Sequence, residues 1–375
     1  MNAAGIIFSN LDQHTISELT VDRTLAAIPF GCRYRLVDFC LSNMINVDIS
    51  NILIVANYNY RSLVDHIGSG KDWDLARRKG GIQMIAPFMT ARSAAPVQNF
   101  THLEALCNMK EYILEFKEEY VVIMDSDQVL NIDLNRVVEM HASRGADITM
   151  VTRPTDKAYV GKDRRMMVAS DGQGKITTLV ASQQYEKDAP DTALNIFVMS
   201  TAYLVQLINN AEEKRLTSLI DHMLNTYAHE NYYMYRYDGY VASITNFDEY
   251  YRASMELATS DAAKESLLWR KDAPIYTKVH NSAPTVYIGD ADVRDSMIAD
   301  DCVIEGTVIN SILSRNVRVA RGAVVKNSIL YFGTTVGKGA SLNCVVADKD
   351  VYITDGVTLS GNENLPIYIE KNRKV

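Results

Sequence analysis

The chain has 375 residues, 47% of them apolar and 22% charged, a well-cored composition with room for two domains or at most three. Its 38 Lys and Arg against 46 Asp and Glu give a formal net charge of −8, which argues against nucleic acid as a partner because phosphate backbones call for a basic footprint. No apolar run is long enough to span a membrane, the start MNAAGIIFSN lacks the basic and long apolar regions of a signal peptide, and the five cysteines include no C-x-x-C pair, so a cytoplasmic protein with no zinc site and no disulfide framework is expected.

In chain order, Gly5–Phe8 reads as a short strand. Ile52–Ala56 and Tyr120–Met124 are unbroken, β-branched apolar runs, as parallel strands buried on both faces are. Asp147–Thr152 is a fourth strand candidate. Helical patterns at Leu36–Ile45, Thr101–Glu115 and Leu134–Arg144 lie between them. This alternation predicts an α/β domain over residues 1–250, Rossmann-like, with a mixed, mostly parallel sheet. Ligands in such sheets sit beyond the carboxyl ends of the strands. Asp125, Ser126 and Asp127, which follow the YVVIM run, therefore stand at the mouth of a site. Asp127 could bind a metal or cap the following turn, and Asp125 reads as a solvated or capping residue. The five tyrosines of Asn231–Tyr240 read as strand packing or a subunit surface. Asp248–Leu268 has helical composition, and a helical linker is expected over residues 251–282.

The last hundred residues follow another rule. Apolar residues recur every six positions, as in Ile298 and Ile304, in Leu313, Val319 and Val325, in Leu330, Val336 and Leu342, and in Ile353 and Leu359. Strings such as VARGAV and ITDGVT accompany them. This period predicts a left-handed parallel β-helix of hexapeptide repeats over residues 283–375. Acyltransferases that use such a helix as their active site need a histidine base there. The histidines are His14, His66, His102, His141, His222, His229 and His280, and none lies in the coils after His280, so that class is disfavoured. His66, His102 and His222 show no partner pattern and read as structural.

Four stretches carry a resemblance. Pro29–Asp38 (PFGCRYRLVD), continuing as FCLSNMIN, resembles the P-F-G-G-x-Y-R-I-I-D-F-x-L-S-N segment of the glucose-1-phosphate adenylyltransferase (ADP-glucose pyrophosphorylase) family. Tyr120–Leu134 resembles its Y-V-x-I-L-S-G-D-H-I-Y-K-M-D-Y, and Gly239–Leu257 its G-Y-W-x-D-V-G-T-I-x-x-Y-x-x-A-N-M-D-L. Asn310–Leu330 is similar to its β-helix repeat. The resemblance covers nearly the whole chain and implies a nucleotidyl transfer: ATP and glucose 1-phosphate give ADP-glucose and pyrophosphate.

What the resemblance implies for the site is largely absent. The family's glycine-rich loop corresponds to Ser9–Thr20, which has no glycine and no arginine, while Asp12 and Glu18 would repel a triphosphate. Its lysine in R-x-K-P-A-V-P-F-G is Leu25. Of its two Mg²⁺ aspartates one is Asp127 and the other is Ser243. Its nucleotide-contacting G-T-A-D-A is THLEA, with Glu104 in place of aspartate. Its sugar-phosphate lysine falls within VASQQYEKD, where only Lys187 is near, and its S-M-G-I-Y is ALNIF. Losing one preorganised electrostatic contact costs about 2.7–4 kcal/mol, and losing several together on the order of 8 kcal/mol as an upper range, since such losses are not additive. The weak substrate-side candidates that remain are Ser126, Asp127 and Glu104. Arg33 and Arg35 lie where the family holds basic residues near a regulatory sugar-phosphate site.

The expectation is therefore a noncatalytic, regulatory subunit of the D-type branch, which acts in glycogen biosynthesis and pairs with a catalytic paralogue, as a heterotetramer. No cofactor is expected to be firmly bound to this chain, with Mg²⁺ acting in the catalytic partner, and a sugar phosphate or nucleotide is the expected effector. The competing readings are a weakly active sugar nucleotidyltransferase and a nucleotide or sugar-phosphate sensor.

Overall fold

The computed structural model describes residues 2–9, 16–56, 59–77, 80–86, 101–155, 166–181 and 190–375. The first apolar runs form adjacent parallel strands β1 (Ala3–Phe8), β2 (Asn51–Val55) and β3 (Gly81–Ile85), and β4 (Tyr120–Asp125) pairs with the other side of β1. Phe8 lies opposite Val55 on one side and Asp125 on the other, so these strands end level at one carboxyl edge. β5 (Gln128–Leu130) follows at that edge. β6 (Ile148–Pro154), β7 (Met166–Ser170), β8 (Ile176–Ala181), β9 (Asp191–Ser200) and β10 (Tyr232–Arg236) complete the main sheet. Its order is β8-β7-β9-β4-β1-β2-β3, with β6 joining β9 to β10, and β9 runs antiparallel to β4. The sheet is mixed with a parallel centre. β11 (Val241–Ser243) pairs with β5.

Two apolar clusters cover the two faces. Helix α1 (Leu36–Ile45) contributes Val37, Leu41 and Met44 to one. The predicted helix Thr101–Glu115 is two helices, α2 (His102–Asn108) and α3 (Lys110–Leu114), because buried Met109 leaves helical dihedrals between them. With α5 (Thr201–Lys214) they cover the other face, while α4 (Leu134–Arg144) packs on the side of α1. The tyrosine-rich stretch packs as strand β10: Tyr232 is buried, and the Tyr237 hydroxyl donates to the Asn131 carbonyl at 3.0 Å. Cys32 and Asn195 are two of the positions where the resembling segments have glycine and this chain does not. Cys32 and Asn195 nevertheless keep left-handed backbone, with φ of 63° and 54°, at a cost of about 1–2 kcal/mol for an ordinary L-residue.

The hexapeptide stretch winds into a left-handed parallel β-helix of three five-stranded parallel sheets, and its strands run on to Ile369, past Leu359, the last residue of the six-residue apolar period. The six-residue period marks successive faces of one coil. Ile304, Val319, Val336 and Ile353 stack on one face, while Leu313 and Leu330 stack on another. All six are buried in the prism.

The helices α6 (Phe247–Thr259) and α7 (Asp261–Leu267) do more than bridge. Tyr250, Tyr251 and Leu257 share one apolar cluster with Ile28, Phe30 and Phe39 of the first domain and with Ile329, Tyr331 and Val346 of the β-helix. Hydrogen bonds run through this cluster. Tyr331 donates to the Tyr250 hydroxyl at 2.7 Å, Tyr250 to the Pro29 carbonyl at 2.9 Å, and Tyr251 to the Asn327 carbonyl at 2.6 Å. Beside it the Arg23 Nη2 meets both oxygens of Asp348, at 2.7 and 2.8 Å. Both side chains are 3% exposed, and Tyr368 donates to Asp348 Oδ2 at 2.8 Å.

Removing one partner of such a pair leaves a buried charge without compensation. Asp348→Ala is expected to cost about 3–5 kcal/mol, and the double change Arg23→Met with Asp348→Leu to recover most of it. Urea unfolding of the variants checks this, and equal losses in the single and the double variant would refute it.

Candidate functional site

The carboxyl edge of β1 and β4 is the first place to look, and its residues are largely committed to one another. Asp125 is neither solvated nor a turn cap. Its Oδ1 lies 2.7 Å from His102 Nε2, and the two side chains are 14% and 17% exposed. His102 opens α2, and its ring stands edge-on to Phe8 with centroids 4.6 Å apart. Ser126 is buried, its amide donates to the Phe8 carbonyl at 3.1 Å, and its hydroxyl has no partner among the described residues. The Asp127 carbonyl accepts the Ile244 amide at 2.7 Å, which ties this turn to the end of β11.

The positions that depart from the family pattern have become packing or capping positions. Leu25 sits in a single 3₁₀ turn, Leu25–Ala27, and packs on the cluster that holds Ile16, Leu19, Ile28 and Phe30. Ser243 lies opposite Gln128 in the β5–β11 pair and donates to Gln128 Oε1 at 2.8 Å. Glu104 closes a capping box: it accepts the Thr101 amide at 2.9 Å, and Thr101 Oγ1 accepts the Glu104 amide at 3.2 Å. Glu18 is half-buried in the short helix Ser17–Thr20. Asp12 of the first loop and Lys187 lie outside the described residues.

Mg²⁺ normally takes one or two protein carboxylates together with phosphate oxygens. Here the second aspartate position is a serine bonded to Gln128, and the described residues contain no group of three or more His, Cys, Asp or Glu side chains placed to hold a metal. These residues do not fit the two-aspartate Mg²⁺ site that the resemblance implies.

The second concentration of charge lies at the seam between the domains. Arg35 Nη1 donates to the carbonyl and hydroxyl of Ser62, at 2.6 and 2.9 Å. Its backbone amide bonds Asp38, which also takes the Thr277 hydroxyl at 2.6 Å and lies 2.6 Å from His66 Nε2. His66 therefore has a buried partner that no local pattern showed. Arg33 is exposed and meets Asp300 of the β-helix at 3.3 Å. Around them stand Lys278, His280, Arg315 and Lys349. Burial first, then repulsion from Arg35 and Arg23, lowers the Lys349 ammonium to about 8. Burial lowers Arg35 to about 10, with Arg23 and Arg315 adding to the effect. Arg315 is also lowered, by burial and then by Arg33. Arg315 and Lys349 form no side-chain hydrogen bond or ion pair among the described residues.

Over residues 15–260 the chain matches the family described as "Nucleotidyl transferase". The chain belongs to the nucleotidyl transferase family. Residues 286–365 match a second family, the GlmU-like C-terminal hexapeptide. The chain is 33% identical to the glycogen biosynthesis protein GlgD of Bacillus subtilis, covering 98% of this chain and 95% of that protein. It is 33% identical to GlgD of Geobacillus stearothermophilus, over 86% of this chain and 82% of that one. A glucose-1-phosphate adenylyltransferase of Bacillus cereus is 26% identical over 93% of this chain and 92% of its own length. Among the described residues no helix is long and apolar enough to cross a membrane.

Returning the family's lysine at position 25 is expected to carry a stability cost, because the side chain now packs in an apolar cluster. Leu25→Lys should lose about 1–2 kcal/mol, read by urea unfolding; an unchanged midpoint would show that Leu25 contributes no packing.

Proposed function

We propose that the chain is a noncatalytic, regulatory subunit of a glucose-1-phosphate adenylyltransferase in glycogen biosynthesis, working in the cytoplasm with a catalytic paralogue as a heterotetramer. The observation that carries this reading lies at the carboxyl edge: Leu25 and Ser243 are built into packing and pairing contacts, while the domain seam is closed by a buried ion pair. Nucleotidyl transfer is almost entirely positioning and charge stabilisation, so a fold without those groups has little chemistry left to do. Similarity to both GlgD proteins and a glucose-1-phosphate adenylyltransferase over most of the chain supports the same pathway. Mg²⁺, on this reading, acts in the partner's site.

The chain would alter its partner by contacting two states of it unequally. The cationic seam suits an anionic effector, a sugar phosphate or a nucleotide, with Arg35, Arg315 and Lys349 as the groups that meet it and Arg33 at the rim. A weak enzyme in its own right is the competing reading, and Asp127 is the residue it would need.

Pyrophosphate release from ATP and glucose 1-phosphate tests the reading. The chain alone should be silent, titrating it into the catalytic paralogue should change the rate saturably, and Asp127→Asn should leave that change intact. A robust rate for the chain alone, abolished by Asp127→Asn, would sink the proposal. The seam makes a separate expectation. Lys349 carries its charge below about 8 and loses it as pH rises through that value. Fructose 1,6-bisphosphate, whose phosphates are already doubly ionised above about pH 7, should bind roughly tenfold more weakly at pH 9 than at pH 7.5. Calorimetry should show that Lys349→Met binds weakly at both; equal pH dependence in the two proteins would exclude Lys349 from the site.

A further inference from the structure

Two departures from the resembling segments meet in space. His102 in THLEA stands where G-T-A-D-A has threonine, and Asp125 in IMDSDQ stands where I-L-S-G-D-H has serine. They lie 23 positions apart on different elements, yet His102 Nε2 and Asp125 Oδ1 are 2.7 Å apart. Packing holds the pair in place. The ring of Phe8 lies edge-on to His102, and Cys40 of α1 reaches the Asp125 carbonyl at 3.6 Å. The pair ties the first residue of α2 to the last residue of β4 and rests on the last residue of β1. It thus lies across the carboxyl edge, where an open sheet of this kind admits its ligand.

We infer that the His102–Asp125 pair is a clasp that closes this edge to a nucleoside triphosphate. Two effects act in the same direction. An imidazole and a carboxylate take the space of two small hydroxyl side chains. Asp125 also places a second carboxylate beside the turn that holds Asp127, and a polyphosphate facing both is repelled. His102 Nε2 is engaged by Asp125 and is not offered to a phosphate. The clasp is a specificity-determining feature of this chain's own cleft. It goes beyond the subunit reading and requires no partner.

The test is ATP binding, with Mg²⁺, to the full chain alone, by calorimetry or equilibrium dialysis. The proteins compared are the parent, His102→Thr, Asp125→Ser and the double variant, all carrying Lys349→Met so that a nucleotide at the cationic seam does not register. On that background the parent should show no saturation at millimolar ATP, and the double variant should bind at least tenfold more tightly. Thermal midpoints should fall in each single variant, with the double falling by less than the two together, as coupled partners do. Should the double variant not fold, His102→Gln with Asp125→Asn keeps the size and a neutral hydrogen bond while removing the carboxylate, and should gain roughly threefold. A folded variant that binds ATP no better than the parent overturns the clasp, as does a parent that already binds ATP at micromolar concentration. Either result leaves the pyrophosphate assay with the catalytic paralogue to stand or fall by itself.

Discussion

The two domains are held in register by a buried ion pair. Arg23 and Asp348 are 325 positions apart, both nearly inaccessible, and joined by two short contacts to one guanidinium nitrogen. Bringing both charges out of water is costly, so the pair persists only where its surroundings complete it. Tyr368 donates to the carboxylate, and the ring of Tyr331 lies 5.7 Å from the guanidinium carbon. The pair has consequences at both ends. It anchors the segment that carries Leu25 and Pro29, and it places Lys349 near Arg23 and Arg35. The β-helix therefore acts as a wall against which the first domain's N-terminal segment is set.

Backbone and side chains have been treated differently by this sequence. The backbone holds strained positions, with Cys32 and Asn195 in left-handed conformation. Polar groups at the carboxyl edge are exchanged for groups that satisfy one another: Ser243 with Gln128, Glu104 with Thr101, His102 with Asp125. The physical reason is that the fold rests on a large buried apolar area, while phosphate chemistry rests on a handful of charges. The handful can change with little effect on the rest.

Charge is accordingly divided between two places. The carboxyl edge gathers Asp125 and Asp127, and the seam gathers Arg35, Arg315, Lys278 and Lys349. The net charge of −8 conceals this division, because a sum over the chain says nothing about which charges face the same space. Burial, and after it the neighbouring cations, depresses both Lys349 and Arg35.

Period and composition were enough for the fold. Buried parallel strands show as continuous apolar runs, and the β-helix shows as a six-residue repeat, because both signals are written over adjacent residues. The helices Leu36–Ile45 and Leu134–Arg144 were legible to the residue. The missing loop glycines, Leu25 and Ser243 could likewise be read as departures from a quoted segment. What pairs with what could not. His66 with Asp38, His102 with Asp125 and Arg23 with Asp348 join residues that no local spacing relates, and the break at Met109 depends on what that side chain packs into. Such contacts arise only when sheet order and the seam bring distant segments together. Long-range electrostatics and packing therefore decided the chemistry of both sites, while short-range periodicity decided the architecture that carries them.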